Sequence, residues 1–262
     1  MRAPLLLLAV LGCGNGSAPV PQNVSTSSTL RVDPTQPLGW LAFATTPTRN
    51  DDDIVPAYVI ASAHPLITLA PPTELPPTAS VLGPTGGITP FKVGAAAKVL
   101  YGCDGNALEV TTLDGPRLTP GVAWILPPAM PPGWSPAPLP IVADASSATQ
   151  RRYAIGPLTF ALARTGDHTG TLTIARDART IHTAPFERHL MEGADRAPID
   201  LASGGPGIPE PVAAWAIAPD GPVLLTVLQP GYEGSTLSVL LVEGASARPI
   251  ESLSTYLYYC AF

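Results

Sequence analysis

Proline is the feature that most constrains the fold of this chain of 262 residues. There are 33 prolines, of which 23 precede residue 141, and 24 glycines add further breaks. Proline lacks a backbone N–H and clashes with the preceding helical turn, so a chain interrupted this often cannot form many long helices. We therefore expect an all-β fold of antiparallel hairpins and meanders, arranged as a sandwich or in a propeller-like way.

Short runs of β-branched, aromatic or alternating apolar residues predict strands between the prolines of the first half. The runs around 98–103 and 108–113 flank Asp104-Gly105-Asn106, whose residues accept positive φ, and this predicts a hairpin. The segment 127–136 is proline-rich and carries Trp134. It is either a boundary between two halves or an aromatic segment laid over a sheet. The predicted strands of this half are 40–44, 57–61, 98–103, 108–113 and 122–126.

The second half has the clearest alternation of apolar and polar residues. Over 158–184 the apolar residues recur at every second position, which predicts a three-stranded meander with turns at 166–170 and 177–178 and an end at Pro185. The window 143–152 permits a helix but has no apolar stripe, so we interpret 141–156 as a linker or a single turn. The expected organisation is therefore a proline-rich β region at 30–140, the linker, and a β-meander region at 157–262.

The segment 212–242 predicts two further hairpins. Its run 223–228 is nearly all apolar, as in a strand that is buried on both faces. Together with the turn Pro219-Asp220-Gly221, this segment resembles one blade of the bacterial β-propeller repeats that carry a Ser-Pro-Asp-Gly turn, with Ala218 in the place of the serine. The resemblance implies a propeller-like sheet, although an antiparallel sandwich would use the same turn.

The N-terminus has the order of an export signal. Arg2 precedes a run of seven apolar residues at 5–11, which is shorter than the roughly 20 residues that span a bilayer. Val10-Leu11-Gly12-Cys13 resembles the lipobox of bacterial lipoproteins. That resemblance implies removal of residues 1–12, acylation of Cys13 and anchoring in the cell envelope. Because Gly14 is not an Asp, the outer membrane is favoured in a host with two membranes.

Two alternatives to acylation stay open: ordinary signal cleavage after Ala18, and a buried N-terminal strand. Residues 13–29 are uncharged and have no sustained apolar period, so they are expected to form a flexible tether. In the oxidising exterior, the two other cysteines, Cys103 and Cys260, are expected to form a disulfide bond between the first half and the last predicted strand, 256–262. Two separately buried thiols are the alternative.

The charge of the chain argues against nucleic acid as a partner. The formal net charge is −6, with 20 acidic and 14 basic residues, whereas a phosphate-binding surface needs clustered Lys and Arg. The expected partners are the membrane, through the N-terminal lipid, and an envelope protein or glycan. No cofactor is expected.

Specific catalytic motifs are missing from the sequence, including Gly-x-Ser-x-Gly, His-Glu-x-x-His, Cys-x-x-Cys and the phosphate-binding loop. Two polar groups are candidate metal sites. Asp51 and Asp53 could hold calcium, and His182, His189 and Glu192 could hold zinc, with His189 and Glu192 on one face of a helix. For both groups we favour the ordinary interpretation, which is exposed polar residues in solvated loops.

Two functional hypotheses follow from these features. The first is an exported envelope lipoprotein whose β-rich domain is a non-catalytic binding or scaffolding domain. The second is a periplasmic metal-assisted hydrolase that uses the group from His182 to Asp195. We favour the first, because no pair of nucleophile and base can be named from the sequence.

Overall fold

The computed structural model of the protein describes residues 30–44, 57–60, 75–101, 106–116, 118–119, 121–189, 197–231 and 234–258. These residues form seventeen strands and no helix, which confirms the all-β prediction. Within them, no helix is long and apolar enough to cross a membrane. The strands are, in chain order, β1 (Trp40–Ala44), β2 (Ala57–Ile60), β3 (Thr78–Leu82), β4 (Ile88–Tyr101), β5 (Asn106–Asp114), β6 (Gly121–Ile125), β7 (Ala137–Pro138), β8 (Ile141–Ser146), β9 (Gln150–Ile155), β10 (Leu158–Arg164), β11 (Thr169–Arg176), β12 (Arg179–Glu187), β13 (Glu210–Ala216), β14 (Val223–Pro230), β15 (Gly234–Glu243), β16 (Ser246–Pro249) and β17 (Thr255–Tyr258).

The first six strands form a closed sheet. Their order is β1-β2-β5-β4-β3-β6, and β6 pairs with β1, so these strands close on themselves. Val99 of β4 lies opposite Leu108 of β5, which confirms the predicted hairpin. Strand β4 begins ten residues before the predicted 98–103 run, and β3 was not predicted, because prolines surround it. The interior of the closed sheet is apolar and includes Val81, Phe91 and Ile125.

Strands β8 to β12 form a five-stranded sheet in the order β12-β11-β10-β9-β8. Strands β10, β11 and β12 are the predicted meander. In the turn between β11 and β12, φ is 49° at Asp177 and 64° at Ala178. Two-residue turns with positive φ at both positions match the right-handed twist of the strands they join. Leu158, Phe160 and Leu162 are buried on one face of β10, as the alternation predicts.

The remaining strands form a central sheet in the order β16-β15-β14-β13-β7, with β17 paired to β15. The two predicted hairpins of 212–242 are its β13, β14 and β15, joined at the first turn by Asp220 with φ of 55°. Strand β17 confirms the start of the predicted terminal strand. Residues 259–262 lie outside the described part of the chain.

Both faces of the central sheet are buried. In β14, Leu224 packs into a core shared with the closed sheet, whereas Val223, Leu225 and Val227 pack into a core shared with the five-stranded sheet. Successive side chains of a strand point to opposite faces, so one apolar run supplies both cores. Burial of each such side chain contributes about 1.5–3 kcal/mol. The prediction of a strand covered on both faces is confirmed.

Three tryptophans join the closed sheet to the central sheet. The ring of Trp124 in β6 lies 5.9 Å from that of Trp215 in β13 and 6.0 Å from that of Trp134. Trp215 Nε1 donates to the Gly83 carbonyl oxygen at 2.9 Å, and Trp124 Nε1 donates to that of Leu38 at 2.6 Å. Because Trp134 packs in this core, the segment 127–136 is an aromatic segment laid over a sheet.

The window 143–152 is not a linker. It forms most of the β8–β9 hairpin, in which Ala143 lies opposite Tyr153. The window has no apolar stripe because most of this hairpin is exposed. Strand β9 continues beyond the window to Tyr153 and Ile155, which are buried and anchor the hairpin.

Pro185 does not end the meander, because β12 continues to Glu187. The Arg188 N–H donates to the His168 carbonyl oxygen. Every second residue of an edge strand bonds to its neighbour, so the even-numbered residues of this part of β12 bond to β11. Pro185 therefore lies at a position whose N–H would point away from the sheet, where proline is tolerated.

We predict that replacing Thr226 with valine stabilises the protein. Thr226 is fully buried in β14, and its Oγ1 has no hydrogen-bond partner in the described part of the chain. An unsatisfied buried hydroxyl costs about 1–3 kcal/mol, so Thr226→Val is expected to raise the free energy of unfolding by that amount. Urea unfolding measures it.

The matched control is Thr173→Val on the solvent-facing side of β11. A surface substitution of this kind is expected to change the free energy of unfolding by less than about 0.5 kcal/mol. A loss of stability in Thr226→Val would show that the hydroxyl is satisfied in solution.

Candidate binding surface

Several predicted site residues lie outside the described part of the chain. The acylation site, the disulfide bond and the calcium site therefore stay predictions. Strands β4 and β17, which precede the two cysteines, belong to the closed sheet and the central sheet respectively. The residues concerned are Cys13, Asp51, Asp53, Cys103, Glu192 and Cys260.

The two predicted histidine ligands do not come together. His182 is half-buried in β12 opposite Ile174, and His189 is exposed just beyond the end of the same strand. Residues along a strand are spaced by roughly 3.3 Å, so seven positions separate the two histidines by roughly 23 Å. Glu187, two residues before His189, ends β12 and is not part of a helix. Within the described ranges, no three His, Cys, Asp or Glu side chains lie close enough to hold a metal ion.

Arginines of the five-stranded sheet bind an extended segment at residues 197–201, which we call the strap. Arg164 Nη1 donates to the Ile199 carbonyl oxygen at 3.2 Å, and Arg151 Nη1 lies 3.5 Å from that of Leu201. Arg188 Nη2 donates to the carbonyl oxygen of Ala197. The strap side chains of Ile199 and Leu201 are fully buried in the core between the two sheets. The arginines therefore satisfy strap carbonyls at the end of the sheet.

His168 lies beside one of these arginines. Its Nδ1 is 3.2 Å from Arg188 Nη2. A guanidinium only donates hydrogen bonds, so Nδ1 accepts and the proton of the neutral ring is on Nε2. This contact and the arginine contacts of the strap hold the end of the sheet together.

Arg151 also connects the five-stranded sheet to the central sheet. Its Nη1 lies 2.7 Å from Glu210 Oε1 of β13, and its guanidinium carbon lies 5.2 Å from the centre of the Tyr153 ring. The backbone of Gly204, with φ of 73°, lies against the Glu210 carboxylate, and a Cβ at this position would be only 2.6 Å from Glu210 Oε1. Burial raises the pKa of Tyr153, the charge of Glu210 raises it further, and Arg151 lowers it.

We predict that Glu210→Gln lowers the pKa of Tyr153. The phenolate carries a negative charge, so removing the negative charge of Glu210 favours ionisation and leaves Arg151 uncompensated. The measurement is a phenol titration followed by ultraviolet absorbance. The chain has 7 tyrosines, so the Tyr153 signal is the difference from Tyr153→Phe in each background. An unchanged or raised pKa would contradict the proposed coupling.

Two inner strands of the five-stranded sheet, β10 and β11, present only small uncharged residues to solvent. The opposite side of the sheet packs on the central sheet. Because side chains alternate along a strand, the residues between the buried ones face solvent. Solvent-facing sides of antiparallel sheets are usually polar, yet β10 and β11 have no outward-facing charged side chain. On the neighbouring β9, Arg152 faces outward directly opposite Ala161, and Glu187 is an outward-facing charge at the end of β12. The outward residues of β10 and β11, which we call the Ala/Thr side, are Thr159, Ala161, Ala163, Thr171, Thr173 and Ala175, and Ala154 of β9 and Thr183 of β12 flank them.

The two edges of this sheet differ. At β12, Pro185 interrupts the outward N–H groups, and Arg179 and Glu187 are exposed, which are devices that block strand addition. At β8, Val142 is 54% exposed and the rest of the strand to Ser146 is also exposed. In the described part of the chain β8 pairs with β9 alone. The β8 edge is therefore open.

Sequence reasoning predicted β10 to β12 from their apolar residues and assigned no role to the Ala and Thr between them; it also interpreted the flanking β8–β9 hairpin as a linker. The signal available was the alternation of Tyr153 and Ile155, two residues apart, at the end of that window. No family model matches the chain, and no curated protein and no solved structure matches it either.

Proposed function

We propose that the protein is an exported envelope lipoprotein whose β-rich domain is a non-catalytic binding or scaffolding domain. The observation that carries the proposal is the Ala/Thr side of the five-stranded sheet. The small uncharged residues of β10 and β11 have little side-chain entropy to lose on contact, and the threonines present hydroxyl groups for hydrogen bonds; the nearby Arg152 is paired with Asp144. These properties favour a flat partner in the envelope, either a protein or a glycan.

The anchor in this proposal is a lipid on Cys13, supported by the order of Arg2, the apolar run at 5–11 and Gly12. Residues 13–29 form the tether. Leu30, which follows these residues, packs against the core between the closed and central sheets. The Cys103–Cys260 disulfide bond stays a prediction in this proposal, and it would join the closed sheet to the last strand.

The anchor predicts the cellular fraction in which the protein is found. Cys13→Ser removes the acylated thiol, so the protein is expected to move from the membrane pellet to the soluble fraction and to lose incorporation of labelled fatty acid. Cys103→Ser is the matched control and is expected to stay in the pellet. Membrane retention of Cys13→Ser, or a mature N-terminus at Pro19, would contradict acylation at Cys13.

The binding surface predicts the effect of charge on the Ala/Thr side. Ala161 and Thr173 lie opposite each other on β10 and β11. Each is replaced by arginine, and co-sedimentation with isolated outer membranes and with isolated cell-wall glycan is measured separately. We expect about tenfold weaker binding or more, since a desolvated unpaired charge costs more than 1.4 kcal/mol.

Ala129→Arg is the matched control, because Ala129 is exposed in the segment 127–136, away from this sheet. It is expected to bind as the unchanged protein does. Equal binding by all the variants, or no binding of the unchanged protein to either fraction, would overturn the proposal.

A further inference from the structure

Among the described residues, nothing pairs with the backbone groups of β8 that point away from the sheet. Successive residues of an inner antiparallel strand direct their N–H and C=O groups to the two neighbouring strands in turn. The Arg164 N–H donates to the Thr149 carbonyl oxygen at 2.9 Å, so the odd-numbered residues of β9 bond to β10. The even-numbered residues of β9 therefore bond to β8. Ile141 and Ala143 lie opposite Ile155 and Tyr153, which are odd-numbered. Their own N–H and C=O groups are therefore directed outward, where a further strand would pair with them.

We propose that β8 is a self-association edge, at which two copies of this chain pair their β8 strands antiparallel about a two-fold axis through Val142. This axis puts Ile141 of each copy opposite Ala143 of the other. Both residues direct their hydrogen-bonding groups outward, so the two strands are complementary to each other. Two five-stranded sheets then become one continuous sheet.

The side chains of β8 fit this pairing. Val142 lies opposite its own copy at a non-hydrogen-bonded position, where Cα atoms are about 4.5 Å apart and side chains are closest. It is the large apolar side chain with the greatest exposure among those described, at 54%. The bulge between Ala143 and Ala145 ends the regular pairing on either side of the axis.

The charge of β8 does not oppose self-association. Asp144 is the one charged residue of the strand, and its Oδ2 lies 2.5 Å from the Arg152 guanidinium of β9 in the same copy. Two β8 strands therefore meet without uncompensated like charges. At the other edge of the sheet, Pro185 and Glu187 block strand addition, so the assembly closes as a dimer and does not extend into a filament.

The test is sedimentation equilibrium of the exported chain carrying Cys13→Ser, so that no lipid contributes to association. We expect a concentration-dependent monomer–dimer equilibrium. Val142→Lys places two lysines face to face, and Ala143→Pro removes an outward N–H without removing a bond to β9. Each is expected to raise the dissociation constant about tenfold or more. Circular dichroism checks that both variants keep the fold.

Thr183→Lys is the matched control, because it adds the same charge on β12 at the opposite edge, and it is expected to dimerise normally. Hydrogen exchange locates the interface: the outward amides of Ile141 and Ala143 are expected to be protected at high concentration and to exchange fast on dilution, whereas the Val142 amide, which bonds to β9, is expected to be protected at both. A monomer at every concentration, a dimer that survives Val142→Lys and Ala143→Pro, or equal weakening by Thr183→Lys would each overturn the proposal. These results do not depend on envelope binding, which the Ala161 and Thr173 variants test.

Discussion

Burial of the central sheet on both faces is the constraint on which the other layers depend. Strand β14 contributes Leu224 to one core and Leu225 to the other, and β13 does the same with Trp215 and Ala214. Without this sheet the five-stranded sheet could not bury its inner face, and the closed sheet could not bury Leu41, Leu82 and Trp124, which point away from its own interior. A single apolar run therefore holds two layers together. A polar side chain within it, such as Thr226, is fully buried and cannot hydrogen-bond to bulk water.

The contacts between layers differ in chemistry. The closed sheet meets the central sheet through aromatic rings whose N–H groups bond to backbone carbonyls, so large apolar side chains are buried without an unsatisfied donor. At the five-stranded sheet, arginines reach the carbonyls of the strap and Arg151 pairs with Glu210. Most of the arginines near this end of the sheet are thus engaged in contacts within the protein. On β10 and β11 the outward side is left with small neutral residues.

That outward side and the β8 edge are the accessible parts of the fold that differ from an ordinary solvated sheet. Only 13% of the residues are charged, compared with roughly a quarter in typical proteins, so an uncharged side is consistent with the composition. The contrast between the blocked β12 edge and the open β8 edge is local. It depends on Pro185 and Glu187 on one strand and on Val142 on the other.

Local patterns in the sequence determined the strands whose apolar residues alternate or are continuous: β10 to β12, β13 to β15, and the short strands β1, β2, β5 and β6. The order of the strands in each sheet was decided only by the tertiary structure, because pairing of β6 with β1, or of β7 with β13, joins residues far apart in sequence. The β8–β9 hairpin escaped prediction because its stability comes from the neighbouring β10, and not from an apolar pattern of its own. The candidate binding surface followed from the pairing of β10 with β11, since Ala and Thr carry no local signal until the strands bring them side by side.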